Sequence, residues 1–235
     1  MYLAGYQPFT LLDYPGKLAA TVFTLGCALR CPFCHNPELI EPNKEDLKRM
    51  GGNRTEEFLS FLKRRQGKLD GICITGGEPT LHADLIEFIR KIKDLGFLVK
   101  LDTNGLFPDI VERIMATKLV DFWAMDIKHT PGKYPLASGR SDLDIVRFQR
   151  SVRLIMKSGA DYEFRTTVVP GIHEEEDFEE IGRWIEGAKH YSLQEFRPGK
   201  IYDASLSEKT LGKTVSLERA RDRMKSYVDA VEIRR

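Results

Sequence analysis

The chain has 235 residues, a formal net charge of +1 and 42% hydrophobic residues. These values are ordinary for a soluble globular protein, and a nearly neutral chain is not expected to coat nucleic acid. No apolar run reaches the roughly 18 residues that a membrane span needs. The first ten residues lack a basic region followed by an apolar stretch. We therefore expect a single domain over residues 1–235, located in the cytoplasm, with neither nucleic acid nor membrane as a partner.

Short β-rich runs alternate with amphipathic segments along the chain. Strands are predicted over residues 18–25, 71–75, 97–101, 122–127, 162–169 and 191–196. Helices are predicted at about 55–66, 85–95, 108–117, 142–158 (after a cap at Ser141), 178–188 and 216–230. Six strands that alternate with helices favour parallel pairing through right-handed crossovers. The sequence thus predicts an α/β fold, as an open doubly wound sheet or a partial barrel, with functional residues at the carboxyl ends of the strands.

Three of the four cysteines, Cys27, Cys31 and Cys34, follow directly after the first predicted strand. Thiolates bind soft metals and iron–sulfur clusters, and one tight loop can direct three of them at one centre. A [4Fe–4S] cluster bound by three cysteines would keep one iron open to a non-protein ligand. Zinc would need a fourth ligand, and the nearest candidate, His35, adjoins Cys34 and would strain a tetrahedral site. The spacing alone leaves a cluster, a zinc site and redox or incidental thiols open. Cys73, in an apolar run, is predicted to be a small buried hydrophobic residue.

The cysteine motif, with an aromatic residue before its third cysteine, resembles the signature of the radical S-adenosylmethionine superfamily. Further segments resemble those of the activating enzymes of glycyl-radical proteins, most of all the activators of anaerobic ribonucleoside-triphosphate reductase. These segments are Asp13-Tyr14-Pro15-Gly16, Cys34-His35-Asn36-Pro37, Leu101-Asp102-Thr103-Asn104-Gly105 and Asp126-Ile127-Lys128. Gly76-Gly77-Glu78-Pro79 resembles the glycine-rich segment that the superfamily carries after strand two.

The resemblance implies a fold, two cofactors and a reaction. The fold is a partial (β/α)6 TIM-like barrel of parallel strands, with the cluster loop after strand one. The cofactors are a [4Fe–4S] cluster on Cys27, Cys31 and Cys34, and S-adenosylmethionine, whose amino and carboxylate groups bind the open iron. An electron from a donor such as flavodoxin or ferredoxin then leads to cleavage of the sulfonium C–S bond. The 5′-deoxyadenosyl fragment removes a hydrogen atom from a glycine of the partner, a glycyl-radical enzyme.

The resemblance also assigns roles to residues near the cluster. Phe33 matches the aromatic position beside the adenine, where an apolar ring packs against the base. His35 would contact the cofactor region or fix the loop. Gly76 and Gly77 would let the backbone approach a ligand closely. Glu78 would accept from the ammonium group of S-adenosylmethionine, directly or through the neighbouring backbone.

A second group of residues ends the middle strands. Asp102, Thr103 and Asp126 match residues that hold a monovalent cation, Na⁺ or K⁺, beside the cofactor carboxylate. Two carboxylates at short range repel unless positive charge lies between them, and Lys128 is an alternative source of that charge and a candidate cofactor contact. Arg165 needs an anionic partner if it is buried. A carboxylate or ribose oxygen of the cofactor, or a structural carboxylate, would serve.

The resemblance places Asp13 near the backbone of the substrate. One departure concerns Phe196-Arg197-Pro198, where the pyruvate formate-lyase branch of the family carries a histidine. Its absence favours the reductase branch. Two alternatives differ in class: the same chemistry on a pterin- or deazapurine-like small molecule, and a non-catalytic binding module stabilised by zinc.

Overall fold

A computed structural model describes all 235 residues of the chain. Eight strands form one sheet in chain order. They are β1 (Leu3–Thr10), β2 (Ala19–Thr24), β3 (Gly71–Gly76), β4 (Leu98–Thr103), β5 (Phe122–Asp126), β6 (Asp161–Val168), β7 (Ala188–Glu195) and β8 (Val228–Arg234). β1 is antiparallel to β2 and every other neighbouring pair is parallel. β1 does not pair with β8, so the sheet is open. The predicted α/β fold with a partial barrel of parallel strands is confirmed.

Nine α-helices connect or follow the strands. They are α1 (Lys44–Arg49), α2 (Thr55–Lys63), α3 (Leu85–Asp94), α4 (Pro108–Thr117), α5 (Tyr134–Ser138), α6 (Ile145–Met156), α7 (Asp177–Trp184), α8 (Leu206–Lys209) and α9 (Leu217–Met224). None of these helices combines the length and hydrophobicity that crossing a membrane requires. The organisation as a single domain stays a prediction.

The two faces of the sheet differ in chemistry because side chains alternate along each strand. One face carries apolar residues such as Ile74, Leu101 and Phe164, which belong to one core of 47 buried residues shared with the helices. The other, concave face carries polar residues at the alternate positions, among them Asp102 and Arg165. This polar face is where the predicted functional residues lie.

The structure adds two strands that the sequence pattern did not predict. β1 contains Gly5 and Pro8, residues that weaken strand patterns but are tolerated at a sheet edge. The helix predicted over 216–230 was wrong beyond Met224, because the chain there turns into β8. Val231 and Ile233 pair with Tyr191 and Leu193 of β7 and extend the apolar face. The many charged residues around them had concealed this alternation.

Gly76 and Gly77 bring the end of β3 against the backbone that leads into the cysteines. A Cβ atom on Gly76 would overlap the backbone of Thr24, and one on Gly77 would overlap the carbonyl group of Gly26. Gly76 also has φ +117°, which side-chain-bearing residues rarely adopt. Backbone hydrogen bonds close the contact, from Gly77 N to Thr24 O (2.9 Å) and from Glu78 N to Gly26 O (2.7 Å). The sequence analysis expected these glycines to let the backbone approach a ligand. In the structure, they let β3 approach the backbone of Thr24 and Gly26.

Two buried histidines join the loops that follow β5 and β6. The imidazoles of His129 and His173 stack with centroids 4.6 Å apart and an interplanar angle of 18°. Val169 N donates to His173 Nδ1 (3.1 Å), and His173 Nε2 donates to Lys128 O (2.8 Å). The neutral ring satisfies both contacts, whereas a proton on Nδ1 would face a donor. Burial, and then the neighbouring His129, lower the pKa of His173 to about 4.

Replacing Gly77 by Ala should destabilise the protein. Because the new methyl group meets backbone and not a flexible side chain, we expect a loss of about 1–3 kcal/mol in the free energy of unfolding. Gly199→Ala is the matched control, since nothing lies within 4 Å of its Cβ position, and it should change stability by less than about 0.5 kcal/mol. Urea denaturation followed by circular dichroism measures both. Equal stability of the two variants would contradict this packing.

The neutral His173 should make stability fall on mild acidification. Its pKa is about 4 in the folded chain and about 6.5 when unfolded, so between these values the unfolded chain binds more protons. The contribution of the neutral ring to the free energy of unfolding is complete above pH 6.5. It declines as the pH falls and is smaller by about 2 kcal/mol at pH 5. Urea denaturation at pH 7 and pH 5 should show a smaller decline in His173→Gln than in the wild type. An unchanged decline would show that this ring does not stay neutral in the fold.

Candidate active site

A cavity of about 520 Å³ lies on the concave face and extends to the cysteine loop. Every residue proposed from the sequence for a functional role lines it. These residues are Asp13, Cys27, Cys31, Phe33, Cys34, His35, Gly76, Gly77, Glu78, Asp102, Thr103, Asp126, Lys128 and Arg165. A second cavity, of about 680 Å³, lies at the amino ends of β4 to β6 and has no cysteine in its wall. The chemistry of the residues therefore points to the first cavity.

The cysteine loop has no regular secondary structure and is held by backbone hydrogen bonds to distant segments. Cys27 N donates to Ile40 O (3.2 Å), and Arg30 N donates to Ser138 O (2.8 Å). At the other end of the loop, Tyr202 N donates to Cys34 O (3.0 Å). Segments from both halves of the chain thus fix the direction in which the thiols face.

His35 links the same loop to the end of β7. Its Nε2 atom lies 2.8 Å from the carbonyl oxygen of Arg197, and its ring is 5.9 Å from that of Phe196. The segment that lacks the histidine of the pyruvate formate-lyase branch therefore contacts the cysteine loop through Phe196 and a backbone carbonyl. These contacts support one of the two roles considered for His35, which is to fix the loop. The side chain also lines the cavity, as a contact with the cofactor would require.

The three thiols are free and line one cavity, so they fit the shared ligand set of one cluster. A cluster binds each thiolate through a different iron. Burial raises the pKa of Cys27 to about 11 and that of Cys31 to about 12, while Lys128 acts in the opposite direction. Binding iron must therefore release protons from these thiols.

Glu78 joins the ends of β3 and β4 from inside the protein. Its carboxylate is 1% exposed and accepts four hydrogen bonds. The donors are Thr80 N (3.1 Å), Thr80 Oγ1 (2.5 Å), Thr103 Oγ1 (2.8 Å) and Asn104 N (2.7 Å). Burial raises its pKa, and these donors oppose the change. The hydroxyl group of Thr103 thus donates its hydrogen to Glu78.

Charges alternate across the concave face in the order Lys100, Asp102, Arg165, Asp126, Lys128. Arg165 bridges the two carboxylates, with Nη2 2.9 Å from Asp102 Oδ2 and Nε 2.5 Å from Asp126 Oδ1. Lys100 pairs with the outer oxygen of Asp102, and Lys128 Nζ lies 2.7 Å from Asp126 Oδ2. Burial raises the pKa of Asp126, but Arg165 and then Lys128 outweigh it and hold the pKa well below its usual range.

Side-chain cations therefore occupy the position that the resemblance would give to a monovalent cation. Of the partners considered for Arg165, the structure shows two carboxylates of the chain, those of Asp102 and Asp126. Arg165 also lines the cavity. The Na⁺ or K⁺ ion at Asp102, Thr103 and Asp126 stays a prediction, and the charge balance does not require it.

The far end of the cavity contains Asp13 and Cys73. The hydroxyl group of Thr21 donates to the Asp13 carboxylate. Cys73 is fully buried, as predicted, but it faces this polar side and not the apolar core. Its sulfur lies 3.8 Å from Lys100 Nζ and 3.7 Å from Asp102 Oδ1. Because the residues around Cys73 are apolar, the sequence did not indicate that its side chain lies on the concave face.

Sequence reasoning missed several polar residues in the cavity wall. Asn104 Nδ2 lies 3.8 Å from Cys27 Sγ. Its position within the Leu101–Gly105 segment could have indicated that it belongs to the site. Gln194 of β7 and Thr167 of β6 also line the cavity. Polar residues recur at alternate positions of these strands, Arg165 and Thr167 in β6 and Ser192 and Gln194 in β7, and this recurrence could have indicated them. No local pattern pointed to His173.

Comparisons with known proteins agree with this geometry. Residues 21–185 match the Radical SAM superfamily. A Methanocaldococcus jannaschii protein that carries the provisional name glycyl-radical enzyme activating enzyme is 34% identical over 236 aligned positions, covering 99% of this chain and 95% of that protein. The pyruvate formate-lyase-activating enzyme of Streptococcus mutans is 30% identical over 203 residues, covering 82% of this chain and 74% of that enzyme.

Solved structures share the fold at low identity. Streptococcus suis SuiB bound to precursor peptide SuiA matches 92% of this chain with a TM-score of 0.67 and 13% identity. Native anSMEcpe with bound AdoMet matches 74% of it with a TM-score of 0.56 and 19% identity. This chain spans about half the length of each, 48% and 50%. The chain belongs to the radical S-adenosylmethionine superfamily and is an enzyme of the glycyl-radical-activating type, which uses a [4Fe–4S] cluster and S-adenosylmethionine.

Proposed function

We propose that this enzyme generates a glycyl radical on anaerobic ribonucleoside-triphosphate reductase. The observation that carries the proposal is that one open cavity joins the three cysteine thiols to Asp13, the residue that resembles a substrate contact. Since β1 and β8 do not pair, the barrel has an open side. A flexible segment of a protein can enter such a groove more readily than a closed pocket.

In this proposal, Cys27, Cys31 and Cys34 hold the cluster, which when bound supplies the electron that cleaves S-adenosylmethionine. A flavodoxin or ferredoxin would deliver that electron. Lys128 and Arg165 each engage carboxylates with only part of their donors, since an ammonium has three N–H groups and a guanidinium five. Their remaining donors can therefore meet the carboxylate of S-adenosylmethionine.

The other side of the cofactor would lie against Phe33 and the Gly76–Glu78 segment. Phe33 is buried beside the cavity, with its ring 6.0 Å from Lys128 Nζ, and offers an apolar face to the adenine. Because the Glu78 carboxylate already accepts four hydrogen bonds, we assign the ammonium group to the backbone carbonyls next to it. The side chain of Glu78 would then shape this backbone.

The choice of partner depends on the end of β7. Phe196-Arg197-Pro198 has no histidine, in contrast to the pyruvate formate-lyase branch, which favours the reductase. Pyruvate formate-lyase is the second candidate, because the relative from Streptococcus mutans is named for activating it. A pterin- or deazapurine-like substrate would need a closed pocket with dedicated polar groups, which the open cavity does not favour. A non-catalytic zinc module does not agree with membership of the superfamily.

Serine in place of a cluster cysteine should remove the cluster. We expect Cys27→Ser, Cys31→Ser and Cys34→Ser to lose the content of about four irons and four sulfides per chain that a cubic cluster requires, and with it the cleavage of S-adenosylmethionine. Cys73→Ser is the control and should keep both. Anaerobic reconstitution followed by iron and sulfide analysis measures the content. Equal loss in Cys73→Ser would overturn the ligand assignment.

The reduced enzyme should produce a glycine-centred doublet in electron paramagnetic resonance when mixed with the reductase and S-adenosylmethionine. We expect Asp13→Asn to lower the yield of this radical, because an amide replaces the carboxylate that would accept from the substrate backbone. Its cleavage of S-adenosylmethionine without the partner should be unchanged. Asp94→Asn, on the exposed end of α3, is the matched control.

The same mixture prepared with pyruvate formate-lyase separates the two candidate partners. A doublet on pyruvate formate-lyase alone would refute the reductase assignment and keep the activase chemistry. Turnover of a small molecule with no radical on either protein would refute activation altogether.

A further inference from the structure

We propose that His173 is a positioning residue that sets the place of Lys128 in the cofactor cavity. This inference rests on the proposed contact of Lys128 with the carboxylate of S-adenosylmethionine. Lys128 lies two residues beyond the end of β5. Ile127 before it is still held to β6, since Ile127 N donates to Arg165 O (2.9 Å) and Thr166 Oγ1 donates to Ile127 O (2.6 Å), but the backbone groups of Lys128 itself bond to no strand. Something other than strand pairing must therefore fix its position.

Two buried side chains bind the backbone of Lys128. His173 Nε2 donates to its carbonyl oxygen (2.8 Å), and its N–H group points to Tyr134 Oη at 3.5 Å. His173 comes from the loop between β6 and α7, and Tyr134 begins α5. Both residues are buried, His173 at 1% and Tyr134 at 0% exposure. Of the two contacts, that of His173 has the better distance and is the one expected to matter.

The tautomer and orientation of His173 are themselves fixed. Nδ1 accepts from Val169 N (3.1 Å), so the ring hydrogen must lie on Nε2, facing Lys128 O. The stacked ring of His129 holds its plane. His129 is held in the same way, with Nδ1 accepting from Thr130 N (2.8 Å) and Nε2 3.0 Å from Ile172 O. The pair thus ties the loop after β5 to the loop after β6.

The same ring reaches a second cavity residue. Phe33 meets His173 edge-on, with centroids 6.5 Å apart and an interplanar angle of 62°. Lys128 Nζ in turn lies 6.0 Å from the Phe33 ring. A shift of His173 would therefore move Lys128 relative to the cluster loop. Displacements of about 1 Å are enough to impair a positioned polar group.

Two amide substitutions separate the two nitrogen atoms of the ring. Glutamine at position 173 can place an N–H group where Nε2 lies and keep the bond to Lys128 O. Asparagine is shorter and can place its oxygen only where Nδ1 lies, toward Val169 N. We expect His173→Gln to bind S-adenosylmethionine within about threefold of the wild type, and His173→Asn to bind it about tenfold more weakly.

Binding is measured on the reconstituted enzyme by equilibrium dialysis with labelled S-adenosylmethionine, together with the change that the cofactor causes in the resonance spectrum of the reduced cluster. Iron content and thermal melting show that each variant is folded and loaded. His190→Asn, on an exposed position of β7, is the matched control and should bind as the wild type does. None of these measurements requires the partner protein, so failure of the reductase assignment would leave them intact.

A double-variant cycle tests whether His173 acts through Lys128. Lys128→Ala alone should weaken binding, and adding His173→Asn to it should weaken binding no further. Additive losses would show that His173 acts on the cofactor independently of Lys128 and would overturn the proposal. Equal affinities of His173→Gln and His173→Asn, or tighter binding by the asparagine variant, would overturn it as well.

Discussion

The Arg165 guanidinium between Asp102 and Asp126 makes a polar interior possible in this fold. In a closed barrel of this kind, packed apolar side chains fill the inside of the sheet. Here the parallel register sets Asp126 beside Arg165, and Asp102 lies within its reach. Without that cation, the two neighbouring carboxylates would repel each other, which would raise the pKa of one of them. Lys100 and Lys128 pair with the outer oxygens of the two carboxylates. The side chains of the concave face can therefore stay charged around a cavity.

The loop that carries the cysteines depends on a different constraint, the closeness of two backbones. β2 and β3 end so near each other that only glycines fit at positions 76 and 77. The loop then donates hydrogen bonds to the carbonyl groups of Ser138 and Arg197 and accepts one from Tyr202 N, all far along the chain. The site is therefore not a local motif with a scaffold around it. Chain segments separated by more than 100 residues together hold the loop in which the thiols face the cavity.

The sequence predicted the parts of the structure that follow from local chemistry. Apolar runs such as 71–75 became strands because one of their faces is buried under helices, and motif residues converged because parallel strands end at one edge. β1 was missed because Gly5 and Pro8 interrupt its pattern, and β8 because charges surround Val231 and Ile233. No sequence pattern could indicate His173, since its partner Lys128 lies 45 residues away and only the fold brings them together.

The charge pattern also bears on the kind of substrate that the cavity would accept. Asp102 and Asp126 are neutralised by cations of the chain, and Glu78 is satisfied by neutral donors. Around these three carboxylates, a charged metabolite would therefore meet little unbalanced charge beyond what S-adenosylmethionine uses. Asp13 has only a hydroxyl partner and retains accepting capacity at the end of the cavity away from the cysteines. An uncharged donor such as a peptide N–H matches that environment, and the open edge between β1 and β8 gives a chain segment a way in.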